Sequence, residues 1–360
     1  MEPIDATIHL AFAFDIGYEI DLERARTLLS AESANLVRRR RTPESIRYRP
    51  APVRTVIDGS GIFLPNGAST ITPSRAELSI FDFAALSLAI QYPVRMTPAE
   101  LLKLAGALAE PAPLTAAARR VLEPWIVRIR PAVVGFEFSE ISEEYVVFQV
   151  GEANADWLEA HRDWIAGLVR LESSPLSKAE VMEATRLSLS YTPNDLVALD
   201  WAAGVVADPD CADTLQVIEF ANVQLLEFRH IDDRLDDRLE AAYRLIRPET
   251  RGHGPRVAWH SHRDAVHNVR ELEIEATSLF ERADNALKLI GDQYLSRVFD
   301  LASTRFHLRD WQHSIRRKLD TVGDVYDLLI QQAGGSRMET LEFIVIVLIA
   351  LEIVLALLRR

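Results

Sequence analysis

The sequence predicts an α+β protein in three parts: a mixed α/β domain over residues 1–207, a long-helix coiled-coil hairpin or bundle over 208–336, and a single C-terminal transmembrane helix within 337–360. Three observations predict this. Short β-branched or alternating apolar runs are interleaved with helical spacings up to about residue 207. From Thr214 to Arg247 there is neither Gly nor Pro, and apolar residues recur at 3-4 spacing. The chain ends LEFIVIVLIALEIVLALLRR, where fourteen of the first eighteen residues are Leu, Ile, Val or Phe.

In the first part, TIHLAFAF (Thr7 to Phe14) reads as a strand, and Asp21 to Val37 has helical spacing. RRRRTPESIRYRPAPVR reads as a long polar loop. Further strands are expected at Val53–Ile57, Ala76–Phe81, Leu86–Tyr92 and Tyr145–Val150, and a helix over Leu114–Val127. Thr97-Pro98-Ala99-Glu100 opens a helix, with Thr as N-cap, Pro at N1 and Glu at N3. Ser177-Lys178-Ala179-Glu180 has the same capping spacing. Thr192-Pro193-Asn194-Asp195 resembles it, but the apolar VALDWAAGVV that follows favours a strand.

The second part is expected to hold three amphipathic helices: 214–247, 266–304 and 308–333. In the first, Ile218, Ala221, Leu225, Phe228, Leu235, Leu239, Ala242 and Ile246 form the seam, and Asp232 occupies its one polar position. A buried polar residue in a seam fixes register or partner, so Asp232 is a candidate for homo-oligomerisation.

The tail, residues 341–358, would be about 27 Å long as a helix, close to the ~30 Å hydrocarbon thickness. Its apolar residues favour insertion by about 6 kcal/mol against a cost of about 3 kcal/mol for Glu352. The expectation is a tail anchor that meets the lipid bilayer through 341–358, with the large domain cytoplasmic and Glu352 facing a second chain within the membrane.

A net charge of −13 argues against a whole surface that binds nucleic acid. Cys211 is the only cysteine, which excludes an intrachain disulfide and a Cys-based zinc site. The start, MEPIDATIHLAFAFDIG, has neither secretory nor import-leader character, so the bulk of the chain is expected to stay where it is made.

Three stretches together resemble one family. ADTLQVIEFANVQLLEFRHIDDRLD (212–236), GDQYLSRVFDLASTRFHLRDWQHSIRRKLDTVGDVYDLL (291–329) and the closing LEFIVIVLIALEIVLALL are similar to segments of the Rmd1/DUF155 family, the "required for meiotic nuclear division" proteins. FDFAALSLAI resembles a weaker motif of that family, with Ala84 where Gly is expected. The resemblance implies a membrane-anchored homo-oligomer that tethers or organises a partner such as the ribosome, and it brings no established catalytic activity or cofactor with it. The missing import leader implies a bacterial member in the inner membrane. Gly291, Asp292, Tyr294 and Trp311 carry the family signature.

Chemistry is sparse in the sequence. No Walker A loop, GxGxxG, GxSxG or ordered Ser/His/Asp set appears, so no catalytic residue and no cofactor is expected. His253, His260, His262 and His267 are the only metal candidates; without HExxH spacing they read as a polar turn. Asp232, Asp233, Asp236 and Asp237 alternate with arginines, as surface ion pairs do. Arg38, Arg39, Arg40, Arg41, Arg47, Arg49 and Arg54 form a basic stretch suited to anionic lipid or RNA, and Tyr48 is its only aromatic. The leading expectation is a non-catalytic, membrane-anchored homo-oligomeric scaffold. The alternatives are a membrane-associated hydrolase or nucleotide-binding enzyme, and an RNA or ribosome tether through the basic stretch.

Overall fold

The structure is a computed structural model that describes residues 2–30, 50–66, 69–151, 153, 156–246, 274, 276–278, 280, 281 and 292–325. Its centre is an eight-stranded sheet. In chain order the strands are β1 (Ile4–Asp15), β2 (Glu19–Ile20), β3 (Val53–Ile57), β4 (Leu64–Asn66), β5 (Ser69–Ile71), β6 (Arg75–Ile80), β7 (Ala85–Met96), β8 (Val133–Val134), β9 (Ser142–Val150), β10 (Ser188–Leu189), β11 (Leu196–Leu199) and β12 (Ala203–Ala207). The large sheet runs β10-β11-β12-β9-β1-β7-β6-β3; β2 pairs with β8, and β4 with β5. Every pairing is antiparallel except β12 with β9.

The helices are α1 (Leu22–Ser30), α2 (Pro98–Ala107), α3 (Ala112–Ile129), α4 (Trp157–Arg170), α5 (Lys178–Ala184), α6 (Ala212–Ile246) and α7 (Gln293–Arg305). A further helix occupies 308–325. The expected capping box at Thr97 forms in full: its side chain accepts from the Glu100 amide, and the Glu100 side chain accepts from the Thr97 amide. Ser177 accepts from the Glu180 amide in the same way. The VALDWAAGVV run is a hairpin, β11 and β12. The sequence reading missed α4.

Alternation along β1 divides the sheet into two unlike faces. Ile8, Leu10, Phe12 and Phe14 join Leu88, Ile90 and Phe148 in the apolar core, closed by Leu101 and Leu104 of α2, Leu122 and Ile126 of α3, and Ile165 and Leu168 of α4. The opposite face presents Thr7, His9, Ala11, Ala13 and Asp15, and the part of α6 up to His230 lies over it.

Two compact units result: Met1–His230 with Glu281–Trp311, and Ile231–Phe280 with Gln312–Arg360. In the second, the seam residue Asp232 binds Lys318 of the same chain at 2.8 Å, and Asp236 binds the same ammonium at 2.6 Å. Burial pulls this ammonium down, but the two carboxylates outweigh it and hold it above the usual lysine range.

Two expectations are corrected. A helix expected to run unbroken from 266 to 304 is interrupted at Asp292, whose backbone is extended and whose side chain caps α7 by accepting from the Leu295 amide. Among the described residues no helix is long and apolar enough to cross a membrane. The longest helix among the described residues, α6, carries Asp213, Glu219, Glu227, Arg229 and Asp233, charges that a membrane-spanning helix excludes. The expected transmembrane helix at 341–358, the membrane association built on it and the tail-anchored inner-membrane location are therefore withdrawn; that segment and Glu352 lie outside the described residues.

The Gly expected at position 84 has a structural basis. Ala84 turns the chain between β6 and β7 with φ at 66°, in the left-handed region that favours glycine. Ala84→Gly would relieve about 1 kcal/mol of backbone cost but lose about 0.8 kcal/mol from the buried methyl. It is expected to leave the denaturation midpoint nearly unchanged. Ala84→Val, β-branched at the same φ, is expected to lower stability by about 2 kcal/mol.

Candidate functional site

The polar face of the sheet forms a basin beneath the start of α6. Strand register builds its floor. One row across the sheet pairs Arg75 with Gln91, Gln91 with His9, and His9 with Val147; the next pairs Glu77 with Ala89, Ala89 with Ala11, and Ala11 with Tyr145. Two alanines side by side at the centre of long polar neighbours leave a hollow. The resulting cavity is about 290 Å³, and Cys211, Gln216 and Glu219 of the α6 end form its roof.

Electrostatics in the basin turn on Arg54. Its guanidinium bridges Glu77 Oε1 and Glu219 Oε2, each at 3.4 Å, so one cation sits between two buried carboxylates from different elements. Arg75, more exposed at the rim, holds Glu77 Oε2 at 2.8 Å. Glu219 Oε1 is buried and has no hydrogen-bond partner among the described residues. Burying a carboxylate oxygen without a donor is costly, so such an atom calls for a functional explanation.

The tautomer of His9 follows from its neighbour. Gln149 donates through Nε2 to the Asp208 carbonyl at 3.0 Å, which leaves Gln149 Oε1 as the acceptor toward His9 Nε2 at 2.9 Å. His9 Nε2 therefore carries the proton. Burial, only partly opposed by the Gln149 bond, holds the imidazole pKa below its usual value. Nδ1 is then a bare acceptor. Cys211 is no nucleophile: burial, with Asp208 and Asp210 nearby, pushes its thiol up to about 12.

Two other clusters lie along α6. Ser139 Oγ is 3.2 Å from His230 Nδ1, and His230 Nε2 is 3.5 Å from Asp15 Oδ1. The order is that of a hydrolase triad, yet Ser139 is 8% exposed, Asp15 is 2% exposed, and the hydroxyl already accepts the Ile141 amide. A reacting carbonyl needs open approach to the nucleophile, so this trio is a clamp between α6 and β1. Nearby, Glu143 pairs with Arg229. Burial raises the Glu143 carboxyl to about 7, with Arg229 opposing.

The residues singled out from sequence fare differently. Arg54 does not belong to a solvated basic loop; it stands on β3 and anchors the basin. Arg38, Arg39, Arg40, Arg41, Arg47, Arg49, Gly291, His253, His260, His262, His267 and Glu352 lie outside the described residues. Among the described residues no group of three or more His, Cys, Asp or Glu could hold a metal. Asp292 is a helix cap, and Tyr294 meets Tyr191 with ring centroids 5.4 Å apart. Tyr294 and Trp311 are half-buried. Sequence reading missed His9, Glu77, Gln91, Gln149 and Glu219. Their signal was an alternation in β1 whose second face, Thr-His-Ala-Ala-Asp, is too small and polar for a second core.

A family profile described as "Uncharacterized protein MJ0711, N-terminal domain" matches residues 5–214. The chain belongs to this family. The match covers β1 to β12, so the MJ0711 N-terminal domain supplies the floor of the basin and most of its rim, while Gln216 and Glu219 lie just past it. Among the relatives is the uncharacterized protein MJ0711 of Methanocaldococcus jannaschii, 22% identical over 219 residues. The alignment spans 60% of this chain and 66% of that protein. No solved structure matches the chain.

Proposed function

We propose that the chain is a non-catalytic, homo-oligomeric scaffold whose sheet domain binds a small polar ligand in the basin beneath α6. The observation that carries the ligand-binding part is Glu219, a roof residue of a 290 Å³ cavity whose buried Oε1 has no hydrogen-bond partner among the described residues. That volume sits at the lower end of the range for small-molecule sites, about 300 Å³ upward. The two-alanine floor supports the same reading, since filling it with larger apolar residues would stabilise the fold more. The oligomeric part rests on the 3-4 spacing of 308–333 and of the 214–247 helix past His230. The finer assignment to the Rmd1/DUF155 type belongs to the same proposal, supported by the segments 212–236 and 291–329.

The test is a thermal-shift screen of the purified full chain against small amines, carboxylates, phosphates and nucleobases. At a hundredfold excess over Kd a ligand contributes about 2.7 kcal/mol, which raises Tm by several degrees. At least one class is expected to do so for the wild type and to fail with Ala89→Leu, whose side chain fills the floor. A screen with no stabilising class, or a shift that persists in Ala89→Leu, would end the ligand-binding reading. Light scattering checks the other half, and a strict monomer at micromolar concentration would end it.

A further inference from the structure

The polar groups lining the basin select the kind of ligand it accepts. The inference rests on the ligand-binding reading above and concerns only the ligand's class. Two residues of the lining carry an acceptor with no donor among the described residues, Glu219 at Oε1 and His9 at Nδ1. The first belongs to a side chain only 8% exposed. Hydrogen-bond donors are also present: Gln91 lines the wall, and Gln216 makes only a long 3.4 Å bond to the Ala212 carbonyl.

Charge decides between an anion and a cation. Arg54 is shared by the buried Glu77 and Glu219, so the three groups carry one more carboxylate than cation. Arg75 is committed to Glu77, and Asp210 adds a further carboxylate to the lining. Among the described residues lining the basin no guanidinium is left uncommitted for a phosphate, and a phosphate would meet the like charge of Glu219. A positively charged nitrogen, by contrast, gives Glu219 its missing donor and neutralises the excess. A neutral His9 can take a second N–H.

We infer that the basin binds a small organic cation carrying several N–H donors, of the amine, amidine or guanidine class, with Glu219 as its anchor. The cavity size limits it to a molecule with few heavy atoms, and the small Ala11–Ala89 floor lets an unbranched chain lie flat across β1 and β7.

Isothermal titration of the full chain tests this with two probes, agmatine and inorganic phosphate. Agmatine is expected to bind saturably at one site per chain. Glu219→Gln, which keeps the shape and removes the charge, should weaken it at least tenfold, and Ala89→Leu, which leaves every charge in place and fills the floor, should abolish it. Glu159→Gln, an exposed carboxylate on α4, controls for attraction to a chain of net charge −13 and should change nothing. Agmatine affinity unchanged by Glu219→Gln, or no agmatine binding to the wild type, overturns the inference. Phosphate binding that Ala89→Leu removes would overturn the cationic class while leaving the basin a binding site.

Discussion

Arg305→Met is expected to lower the stability of the chain by about 3–5 kcal/mol, the cost of breaking a buried ion pair from one side. Arg305 comes from α7 and is itself only 9% exposed. Its Nε donates to the Leu199 carbonyl at 3.1 Å and lies 3.2 Å from Asp200 Oδ1; its Nη2 donates to the Glu183 carbonyl at 3.0 Å. Methionine restores the apolar volume but takes a donor from the Leu199 carbonyl and one of two arginines from the buried Asp200 carboxylate, which keeps the Trp201 amide. Two features pull the figure toward the lower end. Arg170 Nε stays 2.8 Å from Asp200, and the lost Glu183 carboxylate contact is worth little because that side chain is 45% exposed. Urea denaturation followed by circular dichroism measures the loss. The double variant Asp200→Asn, Arg305→Met should recover part of it, since the stranded charge is gone.

The second large effect is a pH dependence. Glu143 titrates near 7 in the folded chain against an ordinary 4.5, because burial outweighs the attraction of Arg229. Between those values the folded chain binds a proton that the unfolded chain does not, so stability falls as pH rises through the window. This is the reverse of an ordinary ion-paired carboxylate. At pH 7 and above Glu143 therefore costs on the order of 3 kcal/mol relative to pH 4.5. Glu143→Gln removes the term, and the variant should gain on the wild type steadily from pH 4.5 to about 7. Arg229 stays in water at 40% exposure and loses little. His9 acts in the opposite sense: its lowered pKa means that the unfolded state takes up protons first, so stability is lost as pH falls below 6.5. Because His9 is present in both proteins, the difference between two denaturation series isolates Glu143. A constant difference across the range would refute the assignment.

Much of the fold was legible because the apolar face of the sheet writes itself into the sequence. β1, β3, β6, β7 and β9 were all visible as β-branched or alternating runs, and the Thr97 and Ser177 caps as spaced side chains. What failed was inference from one element to its surroundings. The 214–247 spacing reads as a coiled-coil seam, yet up to His230 this helix serves as the roof of a sheet, with Gln216, Glu219 and His230 directed at strands. Arg54 follows six other arginines closely enough to look like part of a solvated run, and only its register opposite Ser79 on β6 reveals it as a buried bridge. The basin was illegible for a simpler reason. It draws on strands separated by up to 140 residues, and single polar residues in alternating strands are what solvent-facing positions also look like.

The position of β1 in the sheet bears on how the chain emerges from the ribosome. β1 precedes the other described strands of the sheet in chain order, yet it ends in the middle of the sheet, paired with β7 on one side and β9 on the other. Its partner residues on the second side are Ser142 to Val150. At about 5–20 residues per second, translation needs on the order of ten seconds to supply them. Throughout that interval one flank of a long strand with a continuous apolar face is an open ladder, the kind of edge to which other chains add. Nascent chains stopped before Ser142 should therefore aggregate, and those extended past Val150 should not.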